Sequence, residues 1–461
     1  MKEEKKKLGR FDIYSLGVGG AIGSGIFVLL GLGIGFTGRS IFLAVGIGCV
    51  YMLLAYLFHP IMSSLFVLPG GDYDMKVMLM GPTLTGVNAF FTYFNGLAMA
   101  MYAIAMVDYA KMVFPGIEPY SKIIAVAIMT LFFASTIKGS KFVSMIVNVM
   151  TIVLLVSIGT FLVVGLPQIQ DGFLSGEGFF LNGGIGFIQA ISIMSWACQG
   201  TTMAPVSMMG TTKNARRIIP TTIILITITV GVVYALMAVV ASGVLPVEEV
   251  AGQNLAMVAE AIFPGWLFPI FIIGGAVFAI ATSLLGGVQM LRYPCMQVAE
   301  DGWMPAVFKK TTKGGFPWVI QLSFYTVSVL PIIFNFSLDA IVSLVMIPSM
   351  LFNAYLNIKL IKVVKEYPKQ WETSVFHMPT PLFNILCVLG TGCALVVAYN
   401  LFITLTLTDM IVCICIITLC VVLSIIRLRT GAVTKEALAE KREKIAQAAI
   451  ELTVQNEAEI L

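Results

Sequence analysis

Apolar runs of about twenty residues recur along almost the whole chain, and that length is what a helix needs to cross the hydrocarbon core of a bilayer. About twelve runs are legible, at roughly 12–36, 40–64, 83–113, 121–137, 142–165, 185–209, 219–243, 266–291, 317–335, 338–361, 381–401 and 406–426. Hydrophobic residues make up 58% of the 461 and charged residues only 11%, where a soluble chain carries about 25% charge. Backbone groups facing lipid must be satisfied within the chain, which leaves helices as the spanning element for runs of this kind. The expected fold class is therefore all-α integral membrane. No cleavable signal peptide is expected, because the N-terminus is polar and lysine-rich and no small-residue cleavage site follows the first run.

The basic residues orient these spans. With both termini cytoplasmic, 25 of the 28 Lys and Arg residues fall in cytoplasmic segments, and only Arg39, Lys111 and Lys122 do not. That is the bias of the positive-inside rule. A missed or added span would reverse every later loop. The chain is thus expected in a cell membrane as a multi-pass protein, in contact with the lipid bilayer, with the loops near 166–184 and 244–265 outside. The net charge of +4 reports this topology and implies no nucleic-acid partner. None of the eight cysteines lies in a predicted external loop, and the only histidines are His59 and His377. Neither a Cys/His metal cluster nor a disulfide-linked partner chain is expected.

The first span interrupts itself. Gly19-Gly20-Ala21-Ile22-Gly23-Ser24-Gly25-Ile26-Phe27 sits inside the apolar stretch from Ile13 to Phe36. Glycines flanking a serine favour unwinding. Irregular backbone at membrane depth is tolerated where it lines a cavity, and an unwound turn there offers free N–H groups on one side and free C=O groups on the other. Such a turn can hold a carboxylate and a cation together. The competing reading is that the glycines let helices approach closely. The sixth span carries a second weak point, with Gly200, Pro205, Gln199, Thr201 and Thr202 near its middle. Interruptions five helices apart point to inverted repeats with a site between them; a proline kink with no ligand is the alternative.

Four motifs now stand in order: the first-span signature; Pro69-Gly70-Gly71-Asp72-Tyr73; Lys213 to Pro220; and Arg292 to Pro305, which contains Ala299-Glu300-Asp301-Gly302. Together they resemble the amino acid–polyamine–organocation transporter superfamily over most of the chain. The resemblance implies a five-plus-five inverted repeat in helices 1–10, broken helices 1 and 6, two peripheral helices and alternating access. It implies a substrate carboxylate on the N–H groups of Ser24, Gly25 and Ile26. It places the ammonium on carbonyls of Ala21 and Ile22 in helix 1 and of Trp196 and Cys198 in helix 6. Trp196 stands where many members carry a pocket aromatic, so it would wall or gate the site; an interfacial anchor is the other reading of a tryptophan.

The chain also departs from the family pattern. Gly210 and Thr211 replace paired glutamates after helix 6, and Ala215 replaces a proline. Leu154 stands where many sodium-independent members carry a helix 5 lysine. Helix 8 offers Ala279-Ile280-Ala281-Thr282-Ser283, with a carbonyl three and four residues before two hydroxyls on the same side. With carbonyls of Gly19 and Ile22, the Ala279 carbonyl and the Thr282 and Ser283 hydroxyls make five oxygens, a donor set suited to a hard cation. The arrangement is similar to the sodium site of sodium-coupled members of the wider fold. Hydroxyls that bond back to their own helix are the alternative.

Few charges fall within the spans. Asp108, near the outer end of span 3, is the main acidic residue, beside Tyr109 and Lys111. A cationic or acidic substrate side chain would be desolvated there without a fixed partner, which favours neutral amino acids. The functional expectation is a secondary active transporter of neutral L-amino acids by alternating access, with sodium as a candidate coupling ion and no other cofactor. Proton-coupled symport, exchange, and a non-transporting sensor on the same fold are the alternatives. No ATP-binding loop, catalytic triad or metal cluster supports an enzyme. The organisation is a tail at 1–11, a transport core at 12–361, peripheral helices at 362–427 and a second tail at 428–461, in which 435–456 reads as an amphipathic helix or a solvated extension.

Overall fold

The computed structural model describes residues 8–458 except 69, 139, 175–177 and 314. Lys2, Lys5, Lys6, Lys7 and Pro69 lie outside the described residues, and of Lys141 and Tyr293 only the backbone is described. The described residues are helical, with no strand among them. In order they form α1 (Arg10–Ala21), α2 (Ser24–Thr37), α3 (Ile41–Ala55), α4 (Phe58–Leu65), α5 (Asp72–Leu79), α6 (Pro82–Phe94) and α7 (Leu97–Val113). There follow α8 (Ser121–Ser135), α9 (Ser140–Gly165), α10 (Gly183–Ser207), α11 (Ala215–Gly243), α12 (Val247–Val250), α13 (Ala256–Ile262) and α14 (Leu267–Phe271). Last come α15 (Phe278–Glu300), α16 (Trp318–Ile333), α17 (Leu338–Glu366), α18 (Pro368–Glu372), α19 (Thr380–Ile403), α20 (Leu407–Arg429) and α21 (Lys435–Ala458). Nine helical stretches among the described residues are long and apolar enough to cross a membrane. The protein is a multi-pass membrane protein.

Helix 10 in this numbering lies at the centre, against α1, α2, α3 and α11. Its neighbours bury their apolar faces, while α8, α9, α19 and α20 turn residues such as Leu131, Ile152, Val156, Val388 and Ile414 outward. In water that much exposed apolar surface would be costly; in lipid it is the favourable face.

The loops sort to two ends. At one end Leu8 pairs with Thr211 and Lys213 through backbone bonds of 2.8 and 2.9 Å. There Arg216 Nε donates to the Ser64 carbonyl (3.0 Å), Ser64 meets the Ser374 hydroxyl (2.7 Å), and Asp301 accepts from Tyr73 and Lys441. This end gathers the basic loops, so it is called the basic end. At the other end Arg39 and Ser40 donate backbone bonds to Gly178 and Phe179 (3.0 and 2.8 Å), and Gly252 donates to Gly31 (2.8 Å).

The first span matches the continuity expected from sequence, and the second and sixth differ from it. The first span breaks as expected, between α1 and α2. The second span also bends, between α3 and α4, where Pro60 has no N–H to give the Tyr56 carbonyl. That carbonyl accepts from His59 N instead (2.9 Å). Asn357 of α17 fills the bend: its amide donates to Leu54 and Ala55 carbonyls (3.3 and 3.0 Å) and its oxygen accepts from Phe58 N (3.1 Å). The sixth span, expected to be broken, is one continuous α-helix over Gly183–Ser207. Pro205 falls two residues before its end, so little helix is lost beyond the proline. Thr201 and Thr202 bond back to the carbonyls of Cys198 (3.0 Å) and Gln199 (3.2 Å). Gly200 serves close approach: a Cβ there would sit 3.1 Å from Ala21 Cα.

Candidate functional site at the break in the first helix

The break occupies Ile22 and Gly23. Ile22 is extended (φ −76°, ψ 92°) and Gly23 has φ −138° and ψ −149°. Glycine is required at 23 by space, because a Cβ would overlap the Ser283 hydroxyl. The break frees donors at the start of α2 and acceptors at the end of α1. Ser24 N–H donates to Ser283 Oγ of α15 (3.0 Å), and the Ala21 carbonyl accepts from the Tyr234 hydroxyl of α11 (2.8 Å). One turn further on, the Phe27 carbonyl accepts from the Tyr109 hydroxyl of α7 (2.6 Å), which in turn accepts from Leu255 N (3.2 Å). Three tyrosine and serine hydroxyls from three other helices thus hold the first helix at and above its break.

The expected substrate residues divide. Ser24 and Trp196 come together around the Tyr102 hydroxyl of α7, which they flank, with the Tyr102 and Trp196 rings 6.4 Å apart. Ser24 is buried and Trp196 is half-buried. Ser195, next in the chain, holds a buried hydroxyl without a hydrogen-bond partner, a group a ligand could satisfy. Ala21, Ile22 and Ile26 are buried at the break. Gly25 packs so tightly on α10 that a Cβ would stand 2.5 Å from Ala197 Cα. Cys198 turns away from the break: its thiol lies against Cys49 and 3.9 Å from the Val45 carbonyl of α3, and its own carbonyl accepts from Thr201.

The candidate cation residues are adjacent and already engaged with one another. Thr282 and Ser283 both donate to the Ala279 carbonyl (2.9 and 3.0 Å), and Ser283 also accepts from Ser24. Gly19 faces Thr151 of α9, where a Cβ would be 3.3 Å from the threonine methyl. Leu154, one turn along α9, is fully buried. A π-helical stretch, Ile272–Val277, precedes α15, and its Gly274 lies against Val153 and Ser157 of α9.

Above the break, a cleft of about 540 Å³ opens between α2, α7, the 252–254 loop and the start of α17. Asp108 and Lys111 line it and pair with each other at 2.9 Å. Tyr109 also lines it and meets Phe27 of α2 edge-to-face at 6.3 Å.

Below the break lies a polar network the sequence reading missed. His59, fully buried, places Nε2 2.9 Å from Asp72 Oδ1 and Nδ1 3.2 Å from Thr202 Oγ1. Asp72 also pairs with Lys76 (2.8 Å). Burial pushes the Asp72 carboxyl up, but Lys76 and His59 outweigh it and hold the group well below the ordinary carboxylate range. Its members come from α4, α5 and α10, so no local motif marks it.

The sequence that forms this arrangement matches a known family. A family model described as "Amino acid permease" matches residues 8–421. The chain belongs to the amino acid permease family, within the amino acid–polyamine–organocation superfamily. It is 25% identical over 355 residues to the branched-chain amino acid permease BcaP of Bacillus subtilis strain 168, covering 71% of this chain and 75% of that protein. It is 24% identical over 336 residues to the D-serine/D-alanine/glycine transporter of Escherichia coli K12, covering 68% and 69%. A cadaverine/lysine antiporter of the same organism is 31% identical over 136 residues, 29% of this chain and 30% of that one. The family is one of transporters and not of enzymes, and amino acid transport is the activity this permease shares with it.

Proposed function

We propose that this permease moves neutral L-amino acids across the cell membrane by alternating access, as a secondary active transporter with its basic end and both termini in the cytoplasm. The observation that carries the reading is the meeting of Ser24, Tyr102 and Trp196 beside the break, three side chains without a formal charge. The start of α2 supplies N–H groups and the positive end of a helix dipole for a carboxylate. An aliphatic side chain beside Trp196 would need no charged partner, whereas a charged one would be desolvated without one. Two of the relatives that align over about two thirds of the chain carry names that specify neutral amino acids, the branched-chain permease and the D-serine/D-alanine/glycine transporter. The test is competition in proteoliposomes: leucine, alanine and serine should displace labelled substrate, and lysine, glutamate or a decarboxylated amine should not. Equal competition by lysine would overturn the neutral-substrate reading, and equal competition by the amine would overturn the carboxylate assignment.

Sodium coupling is the second reading, and the bridge from Ser283 to the break favours it. Oxygens of Gly19, Ile22, Ala279, Thr282 and Ser283 would hold the ion after Ser283 releases Ser24 N–H. Uptake at fixed pH should then be faster in sodium chloride than in choline chloride. Equal rates would remove the sodium proposal and leave the substrate proposal standing.

A further inference from the structure

We propose that His59 is a proton-binding site of the transport cycle, and that its protonation is linked to opening of the basic end. The inference rests on the reading of the chain as an amino acid transporter and does not depend on sodium.

The hydrogen-bond inventory fixes where the proton can go. An ionised carboxylate only accepts, so the 2.9 Å bond to Asp72 requires a proton on Nε2. The nitrogen that can change state is Nδ1, which faces the Thr202 hydroxyl at 3.2 Å. Thr202 has a second acceptor for its own proton, the Gln199 carbonyl at 3.2 Å. With a neutral ring, Thr202 donates to Nδ1. With a proton taken from water onto Nδ1, the imidazolium donates to Thr202, and Thr202 turns its hydrogen to Gln199. Both states are fully hydrogen-bonded without movement of a heavy atom. A histidine built only as a structural staple needs one such arrangement; this one has two.

The electrostatic surroundings separate the two states by conformation. The charged groups facing His59 are Asp72 and Lys76, both on α5. Helix α10 presents Thr202 and Gln199, the latter accepting from the Tyr56 hydroxyl at 2.8 Å. Helix α17 presents Asn353 and Asn357 at the same bend. Helix α11 contributes Arg216, which is directed at Ser64 (3.0 Å) and Thr373 (2.8 Å). The rings of Tyr56 and Phe58 lie 5.1 and 4.3 Å from the imidazole. A neutral His59 leaves the Asp72–Lys76 pair balanced. An imidazolium leaves one unbalanced positive charge on a ring with no exposed surface, which is costly until water reaches it. Separation of α4 and α5 from α10 supplies that water. Protonation therefore favours the open basic end, and by linkage the open end binds the proton more tightly. Helix α10 is also the partner of the break, through Gly200 on Ala21 and Gly20 on Ala204, so the substrate site and the proton site share one moving element.

The chain has only two histidines, which makes the test direct. Permease labelled with ¹⁵N-histidine is placed in lipid nanodiscs, and the His377→Gln variant assigns the two ring signals. The His59 signal is followed from pH 5 to 9 with and without saturating leucine, and leucine binding is measured separately by calorimetry. The expected result is titration of His59 with a proton affinity that changes by at least about fivefold when leucine binds. His59→Gln mimics the neutral ring, since an amide can donate to Asp72 and accept from Thr202. It should keep leucine binding and lose the response of uptake to an imposed pH gradient. A His59 signal that is unmoved by pH, or that titrates identically with leucine bound, overturns the inference. So does gradient-driven uptake by His59→Gln equal to that of the unaltered protein. If no neutral amino acid binds at all, the substrate reading is what has failed, and the titration without leucine still decides whether His59 takes a proton. Should the variant not fold, the ring signals of the unaltered protein carry the test alone.

Discussion

Helix 1, the first span formed by α1 and α2, and helix 6, the sixth span formed by α10, cross at the centre of the permease, and both are rich in residues that weaken helices, yet only one of them breaks. In the first, the chain leaves helical geometry at Ile22 and Gly23, and the groups set free find partners on other helices, Ser283 for the Ser24 N–H and Tyr234 for the Ala21 carbonyl. In the sixth, Gly200 and Pro205 lie in an uninterrupted helix. There Thr201 and Thr202 bond to the helix's own carbonyls, and Gly200 gives room to Ala21. A break inside a membrane is stable where external donors and acceptors stand ready for it, and glycine content alone does not decide the matter.

That contrast can be broken at several points. The largest effect is expected from Gly25→Leu. The new side chain would begin 2.5 Å from Ala197 Cα, a backbone atom that cannot move aside, so folded protein should be lost in size-exclusion profiles. Recovery of monodisperse Gly25→Leu permease would show that the crossing is looser than described. Next comes Tyr234→Phe, which strands the Ala21 carbonyl. It should cost about 1–3 kcal/mol of stability, the penalty for a buried acceptor left without a donor. A melting temperature equal to that of the unaltered protein would mean the carbonyl has another partner.

A third effect concerns the basic end of helix 6, held through Thr202, His59 and Asp72. The Asp72 carboxyl is depressed below its ordinary value of 3.8 by Lys76 and His59, against the effect of burial. A depressed carboxylate contributes stability that is fully present above its unfolded value and lost as pH falls through the folded one. Thermal stability should therefore decline below about pH 4, the ordinary carboxylate range. Asp72→Asn should be less stable at neutral pH and respond less to acid, and an unchanged acid response would assign the loss to other groups. The smallest effect belongs to Thr201→Val, expected to stay within about 0.5 kcal/mol because its hydroxyl only bonds back to its own helix. A large loss there would mean that helix 6 does depend on side-chain support near Gly200.

Much of the fold was legible because it rests on local pattern. The apolar runs marked the helical regions, of which nine among the described residues are long and apolar enough to cross a membrane where about twelve were expected, and Gly19 to Gly25 marked the break to within a residue or two. The helical reading of 435–456 matches α21. Pro205 misled because its effect depends on how much helix follows it. The direction of the Cys198 thiol, toward Cys49 and Val45, is set by the crossing of α10 and α3. The bend at Pro60 was in the sequence, but its stabilisation by Asn357 comes from a residue about three hundred positions later. His59 was visible only as one of two histidines, since its partners lie 13 and 143 residues away. Long-range polar pairs leave no periodicity to read.

Helix α21 ties the far end of the chain to two loops at once, through Lys441 on Asp301 and its ammonium 5.0 Å from the Tyr73 ring centre, while Arg427 donates to the carbonyls of Gly302 and Met304 (2.6 and 2.9 Å). The segments around Tyr73 and Asp301 therefore cannot part without disturbing the polar helix α21. A pair of fluorophores on α21 and the 302–304 loop would register each parting as a change in energy transfer, giving a per-molecule clock of turnover that needs no labelled substrate.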